Sequence, residues 1–530
     1  MSAFDDFLAD VDAPRCWLLE IDAFPLAALG DGTDPSGAYA DAAFSELAYG
    51  EGDISDAATL YYSSHGYTSQ AADFPAAVWF DGRLMGDVVV ERRIHGREWI
   101  GGLAAVFAEA RLVNADGGLD ELQKDFALDG RPARLLLGRP TDARSAFGLV
   151  FSGIAQRVTV ALDRMTINLS DGLARLNAPV APQVYAGTGG LEGGADLAGK
   201  AKPKCWGEVF NVSPPLVDAT NLIYQVHDGL INDVPAVYDR GIALIKVGGA
   251  PAAGQYQVDA AAGTFKLGAT PAGTVTADVL GDAGAGYVNK TADIVTRALL
   301  IAGIDASLID AASFTALNTA APAEVGIWIG TDPSTVGEVV EELLAGVGAF
   351  GGFSRVGLFT VGVVAAASGA SAATYDEEEI LALTRDPLPA EVDPVVWRAR
   401  AAWQRNYTVQ TDLAAAVTTA RRAFAAQAER VVTKEDPGVL SRRLLAREYG
   451  PAGNLYTQQA DADTEAQRLL TLWSAARGFY RVTLPPVALA RDLGEVITLT
   501  HSRHGFSAGA QARVLGHTLR GTQVELTVLA

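Results

Sequence analysis

Apolar and polar residues alternate with a period of two through most of the first 170 residues, and a helical period takes over only well into the second half. The clearest strand pair is Arg157–Ser170. Val158, Val160 and Leu162 alternate with Thr159 and Ala161. After a turn at Asp163-Arg164, Met165, Ile167 and Leu169 alternate with Thr166 and Asn168. This period predicts a hairpin with all six apolar side chains on one face. Upstream, Asn114–Gly118 and Leu128–Arg131 are turn clusters around a short Leu119–Phe126 segment, and Ala133–Leu137 reads as a strand.

The texture changes near residue 177. Gly187–Gly199 is a glycine-rich loop, Lys200–Lys204 adds a small basic cluster, and Pro214-Pro215 interrupts any regular element. Ala243–Val247 and Gly273–Val279 read as short strands of a small β module. From Asp293 a helix is predicted, with Ile294, Val295, Ala298, Leu299 and Ala302 on one face and Gly303 as its cap. A second helix opens on the capping box Thr335/Glu338. Val336, Val339, Val340, Leu343 and Leu344 form its stripe, and Gly346 ends it. Phe353–Val364 reads as a hairpin turning near Gly357, and Asp376–Leu383 as a short helix. In the strand that follows, Trp397, Ala399, Ala401 and Trp403 share a face. A helix is predicted from Asp463 to Ala476, and closing strands over Val496–Thr500, Ala512–Leu519 and Gln523–Leu529. The pattern predicts an α+β, β-rich, multi-domain chain. Its expected divisions are a β domain over 1–176, a Gly/Pro-rich β module over 177–287, a small α/β domain over 288–375, and a β-rich domain with one or more helices over 376–530.

Charge and cysteine content narrow the partners. The 530 residues carry a formal net charge of −22, a field that repels phosphate unless a local basic patch overrides it, and none stands out in the sequence. Cys16 and Cys205 cannot form a disulfide framework and read as two buried hydrophobes. The N-terminus is acidic where an export signal needs a basic region. The most apolar stretch, Val347–Ala367, contains Arg355 and many glycines, so no membrane insertion is predicted.

Several motifs could carry chemistry, and each meets a physical objection. Gly505-Phe506-Ser507-Ala508-Gly509 matches the serine-hydrolase string. That string needs a helix after the serine and acid-then-histidine order downstream, whereas here a strand follows and His517 precedes Glu525. Gly284–Thr291 is placed like a phosphate-binding loop, but Asn289 stands where glycine must precede Lys290. His501 and His504 sit three apart in a loop, too few for a metal site alone. Asp116 with Asp120, and Asp461, Asp463 and Glu465, have turn and helix-start explanations. No catalytic, cofactor-binding or metal-ligating residue is predicted. A glycan-binding role for 177–285 would use Trp206, Tyr224 and Tyr238 as stacking aromatics, although core packing suits each better.

One pattern does stand out. Trp397 to Gln410, ending in Arg405-Asn406-Tyr407-Thr408, resembles the strand closing on R-N-(Y/W)-T of tailed-phage baseplate hub and tail-associated proteins. The helix Thr464–Ala476, Arg481–Pro485 and Leu493-Gly494-Glu495-Val496 resemble the same family, with Glu495 for the usual aspartate. Asp116–Asp120 and Asp129-Gly130-Arg131 resemble the hub's first β domain. The likeness spans about residues 80–180 and 290–530. It implies a non-enzymatic virion protein, assembled in the host cytoplasm and located at the tail tip. Such a protein has tail-tube-like β-barrel domains and forms a homotrimer, so that two such domains per chain match a six-fold tube. Its implied partners are the distal-tail ring, the tape measure and the central fibre. A distal-tail ring or receptor-binding protein is the alternative, and a serine hydrolase the remoter one. Some relatives hold an iron–sulfur cluster through several cysteines, and two cysteines do not supply it.

Overall fold

The computed structural model describes residues 3–10, 12–25, 58–95 and 101–530. Its largest element is a 14-stranded sheet. Across it run Ala58–Ser63, Cys16–Pro25, Pro132–Gly138, Gly148–Val160, Arg164–Ser170, Val106–Val113 and Val89–Arg93. The same sheet then continues through Ala510–Arg520, Gln523–Leu529, Phe479–Leu484 and Ala382–Asp386, from the other end of the chain. Every neighbour along this path is antiparallel. At the seam, Arg93 lies opposite Gly516 and Val89 opposite Arg520.

Alternation explains why the two strand sets fuse. Ile21, Val90, Val106, Met165 and Ile167 from one set bury in a single core with Val482, Leu484, Ile497, Val514, Val524 and Leu526 from the other. Each aliphatic side chain buried this way contributes about 1.5–3 kcal/mol. The chain is β-rich and multi-sheet, as its pattern predicts. No pairing joins the end strands Ala58–Ser63 and Ala382–Asp386, so no closed barrel is found among the described residues.

The hairpin at 157–170 forms with one correction. Met165, Ile167 and Leu169 are buried and Val158 and Val160 pack against the core, but Leu162 is 97% exposed. Val160 pairs with Met165, and the Ala161 N–H bonds the Arg164 carbonyl. The turn therefore spans Leu162 and Asp163, which lifts Leu162 off the sheet.

Residues 204–282 form smaller sheets around a separate core of Val209, Val237, Tyr256, Phe265 and Val279. Helices Thr291–Ile301, Ala311–Ala320 and Val336–Gly346 share another core with Phe353, Phe359 and Val361. The capping box is present: Thr335 accepts from the Glu338 N–H and Glu338 accepts from the Thr335 N–H. All five stripe residues of that helix are buried. Gly303 takes φ +72°, as a helix cap requires.

The helix expected over Asp376–Leu383 is not there. Asp376–Glu379 makes one turn, its Asp376 carboxylate accepting from Glu378 and Glu379 N–H groups, and Ala382–Asp386 pairs with Phe479–Leu484. A two-turn helix is a marginal structure, whereas the open edge of Phe479–Leu484 offers a full ladder of backbone partners. Farther on, Val396–Trp403 is the centre of a three-stranded sheet, antiparallel to Arg430–Glu435 and parallel to Arg447–Tyr456. Ala399 and Ala401 are buried, beneath the helix Gln459–Ser474. That helix starts a turn earlier than the apolar stripe predicts, because its first turn is polar.

Candidate functional site

The resemblance motif lies at a joint between modules. After strand Val396–Trp403, Gln404 adopts φ +49° and the chain turns inward, which buries Asn406. Asn406 Nδ2 faces the carbonyls of Phe424, Ala425 and Gln427 at 3.3, 3.1 and 2.9 Å. Its Oδ1 accepts from the Thr408 N–H at 3.0 Å and from Asn211 Nδ2 at 2.8 Å. Asn211 belongs to the middle β module. It occupies a bulge between Val209 and Val212 at φ +57°, a conformation asparagine tolerates better than most residues.

The network extends outward from Asn211. Its side chain also donates to the Thr408 carbonyl at 2.6 Å, and its N–H to Asp278 Oδ1 at 2.8 Å. Arg421 donates to Asn211 Oδ1 and lies 3.5 Å from the centre of the Tyr238 ring. The Tyr238 hydroxyl donates to Asp278 at 2.9 Å. Burial raises the Asp278 carboxyl pKa, opposed by Asn211, Arg421 and Tyr238. Next in the motif, the Tyr407 hydroxyl accepts the Trp328 N–H at 3.0 Å, and the two rings meet edge-on at 5.9 Å. Three sequence-distant segments are thereby locked together by buried, directional bonds.

The seam of the large sheet holds the other concentration of buried polar groups. Arg92 and His517 are cross-strand neighbours and both are buried. Arg92 pairs with Asp492, whose carboxylate also accepts the Leu493 N–H at 2.7 Å. Burial, reinforced by Arg92 and Arg355, pushes the His517 pKa down to about 4, so the ring is neutral at pH 7. Its Nε2 has no hydrogen-bond partner among the described residues. Arg355, on the loop of hairpin Ala349–Val363, donates to the Leu149 carbonyl and accepts through its own carbonyl from the Ser152 N–H at 2.8 Å. That loop thus grips the N-terminal strands.

The other motifs are brought into no reactive arrangement. Ser507 is exposed in the loop of an antiparallel pair, Val496–Leu499 with Ala510–Arg520, while His517 is buried at the seam and Glu525 pairs with Thr518. In the phosphate-loop look-alike, the Gly284 N–H is already bonded to the Asp282 carboxylate at 2.9 Å. Arg297 donates to the Ala285 carbonyl at 2.7 Å. A cavity of about 430 Å³ beside it is lined by Lys204, His227, Asp228, Asp282 and Arg297. There Lys204 lies 3.3 Å from the Asp228 carboxylate, and the Cys205 N–H donates to His227 Nδ1 at 2.9 Å. Burial, with Lys204, holds the His227 pKa near about 4, so the cavity presents a neutral ring with its proton on Nε2.

His501 stands 3.8 Å from Glu377, whereas His504 packs edge-on against the Tyr480 ring at 5.4 Å. No group of three or more metal-ligating side chains occurs among the described residues. Asp116 pairs with Arg83, Asn114 donates to Asp120, Lys434 pairs with Asp463, and Arg468 with Glu465. Cys16 and Cys205 are free and buried in different cores. Trp206 and Tyr224 are buried too, and Arg421 covers the Tyr238 ring, so none offers an open face to a sugar.

No family model and no curated protein matches this chain. Among solved structures it is similar to the tail protein from Neisseria meningitidis MC58, at 10% identity and a TM-score of 0.40, over 86% of this chain and 93% of that one. It is similar to the 43 kDa tail protein of prophage MuSo2 from Shewanella oneidensis, at 9% identity and 0.39, over 86% and 96%. A chain from the virion of a native gene transfer agent particle is 16% identical, with a TM-score of 0.43 over 62% of this chain and 84% of that one. These neighbours are tail and virion proteins.

Proposed function

We propose that the chain is a non-enzymatic subunit of a phage-type tail tip, a baseplate hub that joins the tail tube and distal-tail ring to the central fibre. One observation carries the reading: two strand sets from opposite ends of the chain lie side by side in one sheet over one core. A subunit that offers two β units side by side is what a three-fold hub needs to meet a six-fold tube. Support also comes from the motif around Asn406, whose side chains are spent on internal joints and not on a reactive centre. In this reading, residues 1–176 and 376–530 supply the two tube-like units, and 177–287 and 288–375 the modules beside them. A homotrimer contacting the distal-tail ring, tape measure and fibre follows from the same reading.

Electron microscopy of the purified protein and of the particle's tail tip tests it. Three-fold density around the tube axis supports a hub, and six-fold density a distal-tail ring. A dispersed monomer that turns over a substrate overturns both.

A further inference from the structure

In a chain of net charge −22, residues 396–449 carry ten arginines and lysines against five acids. The fold gathers them into the three-stranded sheet and its two short helices, where Arg398, Arg405 and Lys434 pair with Glu435, Glu342 and Asp463 and Arg421 bonds Asn211, so the uncompensated charge falls to others, Arg442 and Arg443 among them. The corner of this region is the turn after helix Pro437–Arg442. There Arg442, Arg443, Leu444 and Leu445 are all exposed, the leucines at 85% and 80%. The backbone of the corner is fixed, since the Arg443 N–H bonds the Val439 carbonyl and the Ala446 N–H bonds the Arg443 carbonyl, each at 2.8 Å. Neither Arg442 nor Arg443 has a carboxylate within 4 Å among the described residues. A rigid corner with two unpaired cations and two neighbouring bare leucines is suited to a surface both acidic and apolar.

The same chain carries such a surface elsewhere. The turn Asp376-Glu377-Glu378-Glu379 is held by its own N–H groups and by Ser502, whose N–H and hydroxyl reach Glu377 at 3.0 and 2.7 Å. Asp376, Glu377 and Glu378 are exposed. Leu381 follows at 57% exposure, and then comes Ala382–Asp386, the end strand of the large sheet. Charge sign, apolar content and a sheet edge converge there. We infer that the Arg442–Leu445 corner of one copy docks on the Asp376–Leu381 turn of a second copy, a head-to-tail contact of the kind that closes rings. The inference rests on the reading of the chain as a ring-forming subunit. It names the contact, with arginines facing the acidic turn and Leu444 and Leu445 covering Leu381. Nucleic acid and anionic membrane match the arginines but are repelled by the rest of the chain, and neither uses the acidic turn.

Light scattering of the full chain tests the contact at low and high salt. The wild type is expected to assemble at low salt. The double reversal R442E/R443E is expected to weaken assembly at least tenfold, and so is E377K/E378K. The combined reversal R442E/R443E/E377K/E378K in one chain is expected to recover it, since every corner then matches every turn in a ring of three. All four positions are exposed, but Glu377 also accepts from Ser502, so E378K alone, which keeps that contact, is expected to weaken assembly with its thermal midpoint held, which separates lost docking from lost folding. In a second measurement, L444C mixed with L381C is expected to cross-link under mild oxidation, whereas L444C mixed with L162C is not. The inference is overturned if wild type stays monomeric, if reversal leaves the mass unchanged, or if the combined reversal fails to recover. It is also overturned if the corner captures anionic vesicles while the chain stays unassembled. An unchanged mass in R442E/R443E removes this contact and leaves the hub reading standing. Absence of the chain from the tail tip does the reverse.

Discussion

The two places where remote parts of the chain meet are built by opposite means. At the seam of the large sheet, strands Val89–Arg93 and Ala510–Arg520 join through a regular antiparallel ladder over an apolar core. At the Asn406 joint, irregular backbone and buried amides do the work, with Asn211, Arg421 and Tyr407 as partners. Apolar burial is non-directional and large, so the seam supplies strength. Buried hydrogen bonds add little net energy but are costly when one partner is removed, so the joint supplies a fixed relation between modules.

Perturbing each place should expose that difference. Leu526→Ala at the seam removes a fully buried side chain from the shared core, and the expected loss is about 2–5 kcal/mol of unfolding free energy in a denaturant titration. A loss under about 1 kcal/mol would contradict the burial of Leu526 in the shared core. Asn406→Ala strips the Thr408 N–H and the Gln427 carbonyl of this partner, while Asn211 keeps the Thr408 carbonyl and the Phe424 and Ala425 carbonyls keep backbone donors. It is expected to cost about 2–3 kcal/mol, toward the low end of the ~1–3 kcal/mol for each of the two groups left bare. The accompanying sign is faster proteolysis of residues 404–428 with the large sheet still intact. Equal protection of both regions would mean that the joint and the seam open as one unit.

A smaller effect separates the two by pH. The folded-state pKa of His517 is depressed to about 4, below its ordinary value near about 6.5. The unfolded chain therefore binds this proton first. Stability is full above the ordinary value and falls as pH drops toward the folded one. His517→Gln is expected to flatten the stability profile between those limits, by an amount on the order of 1–3 kcal/mol. Thermal melts across that window check this, and an unchanged slope would place the titration elsewhere. The smallest effect is expected at Ser507→Ala, within about 0.5 kcal/mol of wild type, because the residue is an exposed loop position.

What was legible in the sequence depended on how local its cause was. The capping box at Thr335, the stripe of Val336–Leu344 and the strand over Gln523–Leu529 follow from spacing alone, and all are present. Leu162 was misplaced because alternation does not say where a turn begins. Asp376–Leu383 splits into a turn and the start of the strand Ala382–Asp386, because a distant open edge outweighs local helical preference. The motif around Asn406 lies at a buried joint, but its partner Asn211 is about two hundred residues away in sequence, and neither Asn211 nor the nearer Arg421 carries a motif of its own. Pairing of the two strand sets was likewise invisible, since a period of two defines a face and not a neighbour.

The central claim is that one chain supplies two β units side by side to a three-fold ring. A reconstruction of the tail tip, solved without imposed symmetry, tests it most directly. The account predicts three copies around the axis, each contributing both strand sets, so that six similar β units alternate around the tube. Six identical copies, or a map with no density for this chain at the tip, would contradict it.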